Sequence, residues 1–176
     1  HLPTLTSTPV ENRGDPAFTL ASTLLTRIAQ RLGRDDELQQ IRSLQLVPVE
    51  IASVPDQLKF DRESLHVPPS TPVELRLHNR DALQHNLVVC KPGSLEKVGT
   101  AVDQLASVPG AMQRDWIPDL PDVLHATPMA NADQSVVLRF MTPEEPGAYP
   151  FLCTVPGHWR IMKGNLVVTG AEEKAK

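Results

Sequence analysis

The sequence has little of what defines several common classes of protein. It has only two cysteines in 176 residues, too few for a disulfide scaffold. Of these, Cys90 lies in a strand pattern and is interpreted as an inert buried thiol. No stretch approaches the roughly 18 to 20 consecutive apolar residues of a membrane span. Lys and Arg are not clustered and the formal net charge is −4, so we expect no nucleic-acid partner.

Glycine is also scarce, with nine residues against 17 prolines, which is typical of a fold with many strand edges, turns and extended connections. From Leu46 onward, apolar and polar residues alternate and predict a strand with one buried face. Six further candidate strands follow, each bounded by turn residues: 64–67, 72–79, 84–90, 134–141, 147–153 and 163–169. Seven short strands predict a mainly β fold, in which two sheets form a sandwich.

Helical periodicity appears in two places. Asp15 followed by proline has the form of a helix start, and apolar residues then recur at helical spacing as far as Gly33. A second short helix follows, so residues 15–44 are predicted to form an N-terminal helical hairpin. A helical insertion is predicted over 94–107, and the Pro-rich stretch 109–128 is expected to be an irregular loop.

These patterns divide the chain into four parts. Residues 1–14 lack periodicity and are expected to be a linker or extended tail. Residues 15–44 form the helical hairpin, whose expected role is packing or attachment to an upstream module. Residues 45–170 form the β domain, and residues 171–176 are expected to be a disordered tail.

The segment that carries the chemistry begins at Cys153. Within ten residues it contains a thiol, the imidazole of His158 and the thioether of Met162, across a Pro-Gly turn. A thiolate and two imidazoles, with a weak axial thioether, suit both Cu(I) and Cu(II). A second imidazole is available at His85, in a strand-like segment. A lone histidine there would more often be a core residue, so its assignment as a ligand depends on the loop.

With these residues the chain resembles azurin, a blue copper protein of the cupredoxin family. The loop has azurin's Cys-x4-His-x3-Met spacing followed by Lys-Gly, and the His-Asn pair at 85 and 86 matches as well. The resemblance covers roughly residues 55–170. It is stronger still to the azurin-type copper domain at the C-terminus of large bacterial proteins with haem-binding or dehydrogenase-like modules, on the runs VPDQLKFD, HNLVV and YPFLCTVPGHWRIMKG.

The resemblance implies a Greek-key β-sandwich over residues 45–170 that holds one copper ion per chain. It implies four copper ligands: His85, Cys153, His158 and Met162. Gln84 stands where azurin has a glycine whose carbonyl lies near the copper, so only a possible weak backbone contact is expected there. Asn86 and Thr154 are expected to hydrogen-bond around the ligands and to fix the thiolate geometry.

Three apolar residues, Leu83, Val155 and Trp159, are expected to form a docking patch around the exposed edge of His158. Trp159 has a second interpretation, in which it caps the end of the sandwich. His125 also has two: it approaches the copper from the 109–128 loop, or it makes a structural hydrogen bond.

The function implied by the resemblance is electron transfer rather than catalysis, with copper cycling between Cu(I) and Cu(II) and electrons leaving through the His158 edge. The implied partner is a redox protein, such as a c-type cytochrome or an upstream haem or dehydrogenase module. The alternatives are a copper storage or delivery module and the electron-entry domain of a larger oxidoreductase. Because blue copper proteins generally work outside the reducing cytoplasm, a periplasmic or extracytoplasmic location is implied.

Overall fold

The computed structural model describes residues 2–170, which form four α-helices and nine strands. The helices are α1 Leu2–Thr6, α2 Pro16–Arg31, α3 Asp35–Ser43 and α4 Leu95–Leu105. The strands are β1 Val47–Val54, β2 Lys59–Phe60, β3 Ser64–Val67, β4 Pro72–His78, β5 Val88–Cys90, β6 Val123–Ala126, β7 Ser135–Met141, β8 Gly147–Leu152 and β9 Lys163–Val168. Short 3-10 helices lie at Val10–Asn12, Met112–Arg114 and His158–Arg160.

The strands form two sheets that pack face to face. One sheet has the order β2-β1-β4-β7 and the other β3-β9-β8-β5-β6. β1 pairs with β4, and β3 with β9, in parallel, whereas the other pairings are antiparallel. The inward-facing side chains of both sheets form one buried cluster, which includes Ile51, Leu75 and Phe140 from the first sheet and Val89, Phe151 and Leu166 from the second. The predicted mainly β sandwich with helical elements is confirmed.

The predicted strand over 84–90 is wrong in its first half. Only Val88–Cys90 forms a strand, and His85 joins Ala130 through an isolated bridge. Between them, the Leu87 N–H donates to the Thr127 hydroxyl at 2.9 Å, so a side chain replaces a ladder partner. β6 lies inside the stretch that was expected to be an irregular loop, and it pairs with β5.

The helical predictions for α2, α3 and α4 are confirmed to within a few residues. Residues 2–12, by contrast, are not an extended tail, because they form α1 and a 3-10 turn. Leu5 of α1 is buried against Phe18 and Leu44, and this contact stabilises the helical form. The division of the chain into four parts stays a prediction, and the expected tail 171–176 lies outside the described residues.

The N-terminal segment contacts the sandwich through Arg139 of β7. The Arg139 guanidinium donates to the Glu11 carbonyl at 3.3 Å, and a Cβ placed on Gly14 would lie 2.3 Å from it. The three N-terminal helices pack around two small apolar clusters of their own, separate from the core of the sandwich. Among residues 2–170, no helix combines the length and apolar character needed to cross a membrane.

Candidate metal centre

Three donor side chains from separate parts of the chain converge at one end of the sandwich. Cys153 directly follows β8, His158 begins a 3-10 helix, and His85 lies at the bridge to Ala130. The Cys153 Sγ lies 3.7 Å from the Nδ1 of His85 and 3.7 Å from the Nδ1 of His158. All three donor atoms lie within 4.8 Å of one another. His85 and Cys153 are fully buried, whereas His158 is partly exposed.

Backbone hydrogen bonds hold the loop between Cys153 and Met162 in a tight turn. The Cys153 N–H donates to the Met162 carbonyl at 3.0 Å, and the Met162 N–H donates to the His158 carbonyl at 2.8 Å. Gly157 has a φ of 88°, a left-handed conformation that glycine adopts without strain. Met162 is fully buried and packs in the same apolar cluster as Cys153. The loop therefore brings the backbone of Met162 to that of Cys153 and buries the Met162 side chain in the core.

Asn86 joins the His85 segment to the Cys153 loop. Its Oδ1 accepts from the Thr154 N–H at 2.8 Å, and its Nδ2 donates to the Thr154 hydroxyl at 2.7 Å. The same Nδ2 donates to the Asp115 carbonyl at 2.8 Å. Asn86 and Thr154 are both fully buried, so these bonds form away from water and fix the residues that flank the donors.

Asp81 is a site residue that the sequence does not reveal, because a carboxylate four residues before a histidine is not a metal-ligand spacing. Its Oδ2 lies 3.0 Å from the Nε2 of His85, on the side of the ring away from Cys153. Burial acts to raise the pKa of Asp81, but hydrogen bonds from His85 and from backbone amides outweigh burial and lower it. The buried carboxylate is therefore held in its charged form.

The position of Trp159 corrects the expected docking patch. Its side chain is only 4% exposed and lies against Gly99 of α4, where a Cβ would come within 2.4 Å of the indole ring. The indole N–H donates to Asp103 at 3.0 Å, and Arg160 donates twice to the same carboxylate. Trp159 thus caps the end of the sandwich and offers no surface to a partner.

The other patch residues are accessible. Leu83 is 51% exposed and Val155 is partly exposed. Ile161, which was not predicted as part of the patch, is also exposed. It directly precedes Met162, and its N–H donates to the His158 carbonyl at 3.0 Å. Val155 is linked to the same histidine, because its carbonyl accepts from the His158 N–H at 3.0 Å, so these two apolar residues flank the partly exposed ring in the loop.

The remaining candidates lie outside the donor cluster. The ring of His125 packs on Phe140, with centroids 4.3 Å apart, so this histidine does not approach the three donors. Gln84 is exposed and its amide donates to Asn131 at 2.6 Å, while the backbone contact proposed for it stays a prediction. Cys90 is fully buried, and burial raises the pKa of its thiol to about 12, as expected of an inert cysteine.

The chemistry of the three donors fits copper. Burial raises the pKa of the Cys153 thiol to about 11, so its thiolate form needs a nearby cation. Burial, together with the neighbouring His85, lowers the pKa of His158, which favours the neutral imidazole that binds metals. Sulfur and imidazole nitrogen donors suit copper, whereas Mg²⁺ and Ca²⁺ require oxygen ligands.

A two-sheet sandwich with a Cys-His-His cluster at one end, in which Cys153 and His85 are fully buried, is the arrangement of a cupredoxin. Auracyanin-A of Chloroflexus aurantiacus is 36% identical over 124 residues, which are 69% of this chain and 74% of that protein. Auracyanin-B of the same organism is 40% identical over 124 residues, and the matched part is 52% of its length, so the chain spans about half of that relative. No protein-family model matches the chain.

The solved structures agree. The structure of auracyanin A, described as a "blue" copper protein, superposes with a TM-score of 0.63 at 33% identity, over 71% of this chain and all (100%) of that one. An azurin from Methylomonas sp. strain J, at 19% identity, shares the fold with a TM-score of 0.60 over 70% of this chain and 98% of its own. The chain belongs to the azurin-like blue copper proteins of the cupredoxin family.

Proposed function

We propose that this chain is a type 1 (blue) copper electron-transfer protein or electron-transfer domain. One copper ion would be held by four side chains: His85, Cys153, His158 and Met162. The observation that carries the proposal is the buried Cys153 thiol with an imidazole Nδ1 at 3.7 Å on each of two sides. The kinship to auracyanin A, a "blue" copper protein, supports the same assignment.

The protein's contribution to electron transfer is a site that does not rearrange. Bound copper supplies a one-electron couple, Cu(I)/Cu(II). The hydrogen bonds of Asn86 to Thr154, and of Trp159 to Asp103, fix the loop that carries Cys153 and His158. The full burial of His85, Cys153 and Met162 also keeps water away from that side of the site. Fixed donors and excluded water both lower the reorganisation that accompanies a change of charge.

Electrons would leave through His158, because its ring is the partly exposed one of the two imidazoles. We propose Leu83 and Val155, together with Ile161, as the surface that docks a redox partner around this ring. A c-type cytochrome, or an upstream haem or dehydrogenase module, fits this role, and a periplasmic or extracytoplasmic location accompanies it. In the proposed division, residues 45–170 form the copper domain and residues 15–44 attach it to a neighbour.

The proposed role is that of a carrier and not of an enzyme. All four proposed ligands are protein side chains, which leaves no open coordination position of the kind that catalytic metals keep. A storage or delivery module would differ in one measurable property, because it would release Cu(I) readily to a chelator. A carrier should hold the ion through many redox cycles.

The proposal is tested by the visible and EPR spectra of the copper-loaded protein. Cys153→Ser should abolish the intense thiolate-to-copper absorption and one-electron cycling, while the fold stays nearly intact by circular dichroism. Cys90→Ala is the matched control, because it removes the other buried thiol and should leave the absorption unchanged. Blue colour retained in the Cys153 variant, or lost in the Cys90 variant, would rule the ligand assignment out.

A further inference from the structure

The imidazole of His85 lies between two groups of different character. Its Nδ1 faces the Cys153 Sγ at 3.7 Å, and its Nε2 faces the Asp81 carboxylate at 3.0 Å. The ring is fully buried and Asp81 is 5% exposed, so water competes little for either nitrogen. Each ring nitrogen therefore has one partner, and the partner at Nε2 is an anion.

Asp81 is itself fixed in orientation. Its Oδ1 accepts from the Ala82 N–H at 2.7 Å. The Asp81 N–H donates to the Oδ1 of Asn79 at 3.0 Å. Ser53 of β1 donates to the same oxygen at 2.8 Å, so a strand of the first sheet supports the arrangement. The rigid part of the sandwich thus holds the carboxylate against His85.

The contact with Asp81 favours one tautomer of His85. A carboxylate oxygen accepts hydrogen bonds, so a neutral His85 ring meets Asp81 as a donor when its proton is on Nε2. The lone pair then lies on Nδ1, which is the atom that faces Cys153. A carboxylate behind a metal-binding histidine also raises the basicity of the ligand.

We propose that Asp81 is a positioning residue for the metal centre: it fixes His85 with a free Nδ1, and its buried charge favours the oxidised over the reduced ion. The inference rests on the proposed function. A negative charge stabilises Cu(II) more than Cu(I), and the effect is strong in a buried site because the effective dielectric constant there is low. Loss of the charge should therefore raise the reduction potential.

The first test uses the metal-free wild-type protein. Nitrogen-15 NMR of the neutral imidazole should show His85 protonated at Nε2, which leaves Nδ1 free to bind the metal. His85 found protonated at Nδ1 would overturn the proposal. This measurement requires neither a variant nor copper, so it decides the question even where a substitution prevents folding.

The second test is Asp81→Asn. The new amide oxygen should stay with the Ala82 N–H, which places the NH₂ group against Nε2. His85 would then carry its proton on Nδ1, the wrong nitrogen for a ligand. We expect copper affinity to fall about 10- to 100-fold. In the variant molecules that hold copper, the Cu(II)/Cu(I) equilibrium should move on the order of tenfold towards Cu(I). This is a rise of about 59 mV in the reduction potential.

The matched control is Asp36→Asn, which makes the same chemical change on the exposed face of α3. It should leave affinity and potential at their wild-type values. Equal affinity and equal potential in the two variants would overturn the role of Asp81. A wild-type protein that forms no blue complex would instead refute the proposed function, so the two failures are distinguishable.

Discussion

At the scale of single residues, Asn86 is the side chain that joins the two parts of the donor cluster. It makes three hydrogen bonds, two to Thr154 and one to the Asp115 carbonyl. Asn86→Ala would leave the buried Thr154 N–H without its acceptor, and unsatisfied buried donors cost about 1 to 3 kcal/mol each. We expect the metal-free protein to lose about 3 kcal/mol in its free energy of unfolding.

Urea unfolding of the metal-free protein measures this loss, and the EPR spectrum of the copper form should broaden as the Cys153 loop gains freedom. Asn131→Ala is the control, because Asn131 is exposed and makes hydrogen bonds of the same kind to Gln84 and Gln134. It should cost less than about 1 kcal/mol. Equal losses in the two variants would show that Asn86 has no special role in the site.

Some residues of the site could be predicted from the sequence and others could not. Cys153, His158 and Met162 were predictable because their ligand atoms fall at fixed spacings in one loop, and the sandwich then supplies His85. Asp81 was not predictable, since nothing local shows that its carboxylate meets a ring nitrogen. For Trp159, the sequence shows that it directly follows a ligand. It does not show that the indole packs against Gly99 of α4, because that contact depends on tertiary packing.

At the scale of elements, the contact of α4 with the Cys153 loop is the one most open to test. Gly99 lies in the interior of α4, where helix propensity alone predicts that Gly99→Ala would stabilise by up to about 1 kcal/mol. A Cβ there would lie 2.4 Å from the Trp159 ring, which its bond to Asp103 holds in place. We therefore expect Gly99→Ala to destabilise the protein, with a loss of about 1 to 3 kcal/mol in its free energy of unfolding.

Thr100→Ala provides the comparison, because Thr100 is the exposed neighbour of Gly99 on the same helix. This change should stabilise slightly, by no more than about 0.7 kcal/mol. Urea unfolding gives both values, and the visible spectrum reports whether movement of Trp159 reaches His158. If the Gly99 variant is as stable as the Thr100 variant, the Trp159 ring moves aside for the new Cβ without a loss of stability, and the expected clash is contradicted.

Strands were predictable where one face is buried against the other sheet. β4 alternates buried and partly exposed residues along most of its length, and β7 pairs with it over seven residues. β6 was missed because all four of its residues are partly exposed, and only pairing with β5 makes it a strand. The first half of the predicted 84–90 strand failed because Thr127 replaces a ladder partner there.

At the scale of the whole molecule, the apolar cluster inside the sandwich is much larger than the two apolar clusters of the N-terminal helices. The main cluster draws on both sheets and encloses Cys153 and Met162. The two N-terminal clusters draw only on α1, α2, α3 and the residue that follows α3. Their loss would leave the packing around the donors unchanged. The hydrogen bond of Arg139 to the Glu11 carbonyl is a direct link between the two parts.

A chain of residues 45–176 should therefore fold and form the same copper centre. We expect its visible spectrum and reduction potential to match those of the full chain, because every proposed ligand and every hydrogen bond of Asn86 and Asp81 lies within it. Its free energy of unfolding should fall by about 2 kcal/mol, the value of a hydrogen bond to a charged group. A shortened chain that is unfolded, or whose spectrum differs, would mean that the N-terminal helices help to build the site and that the boundary at residue 45 is misplaced.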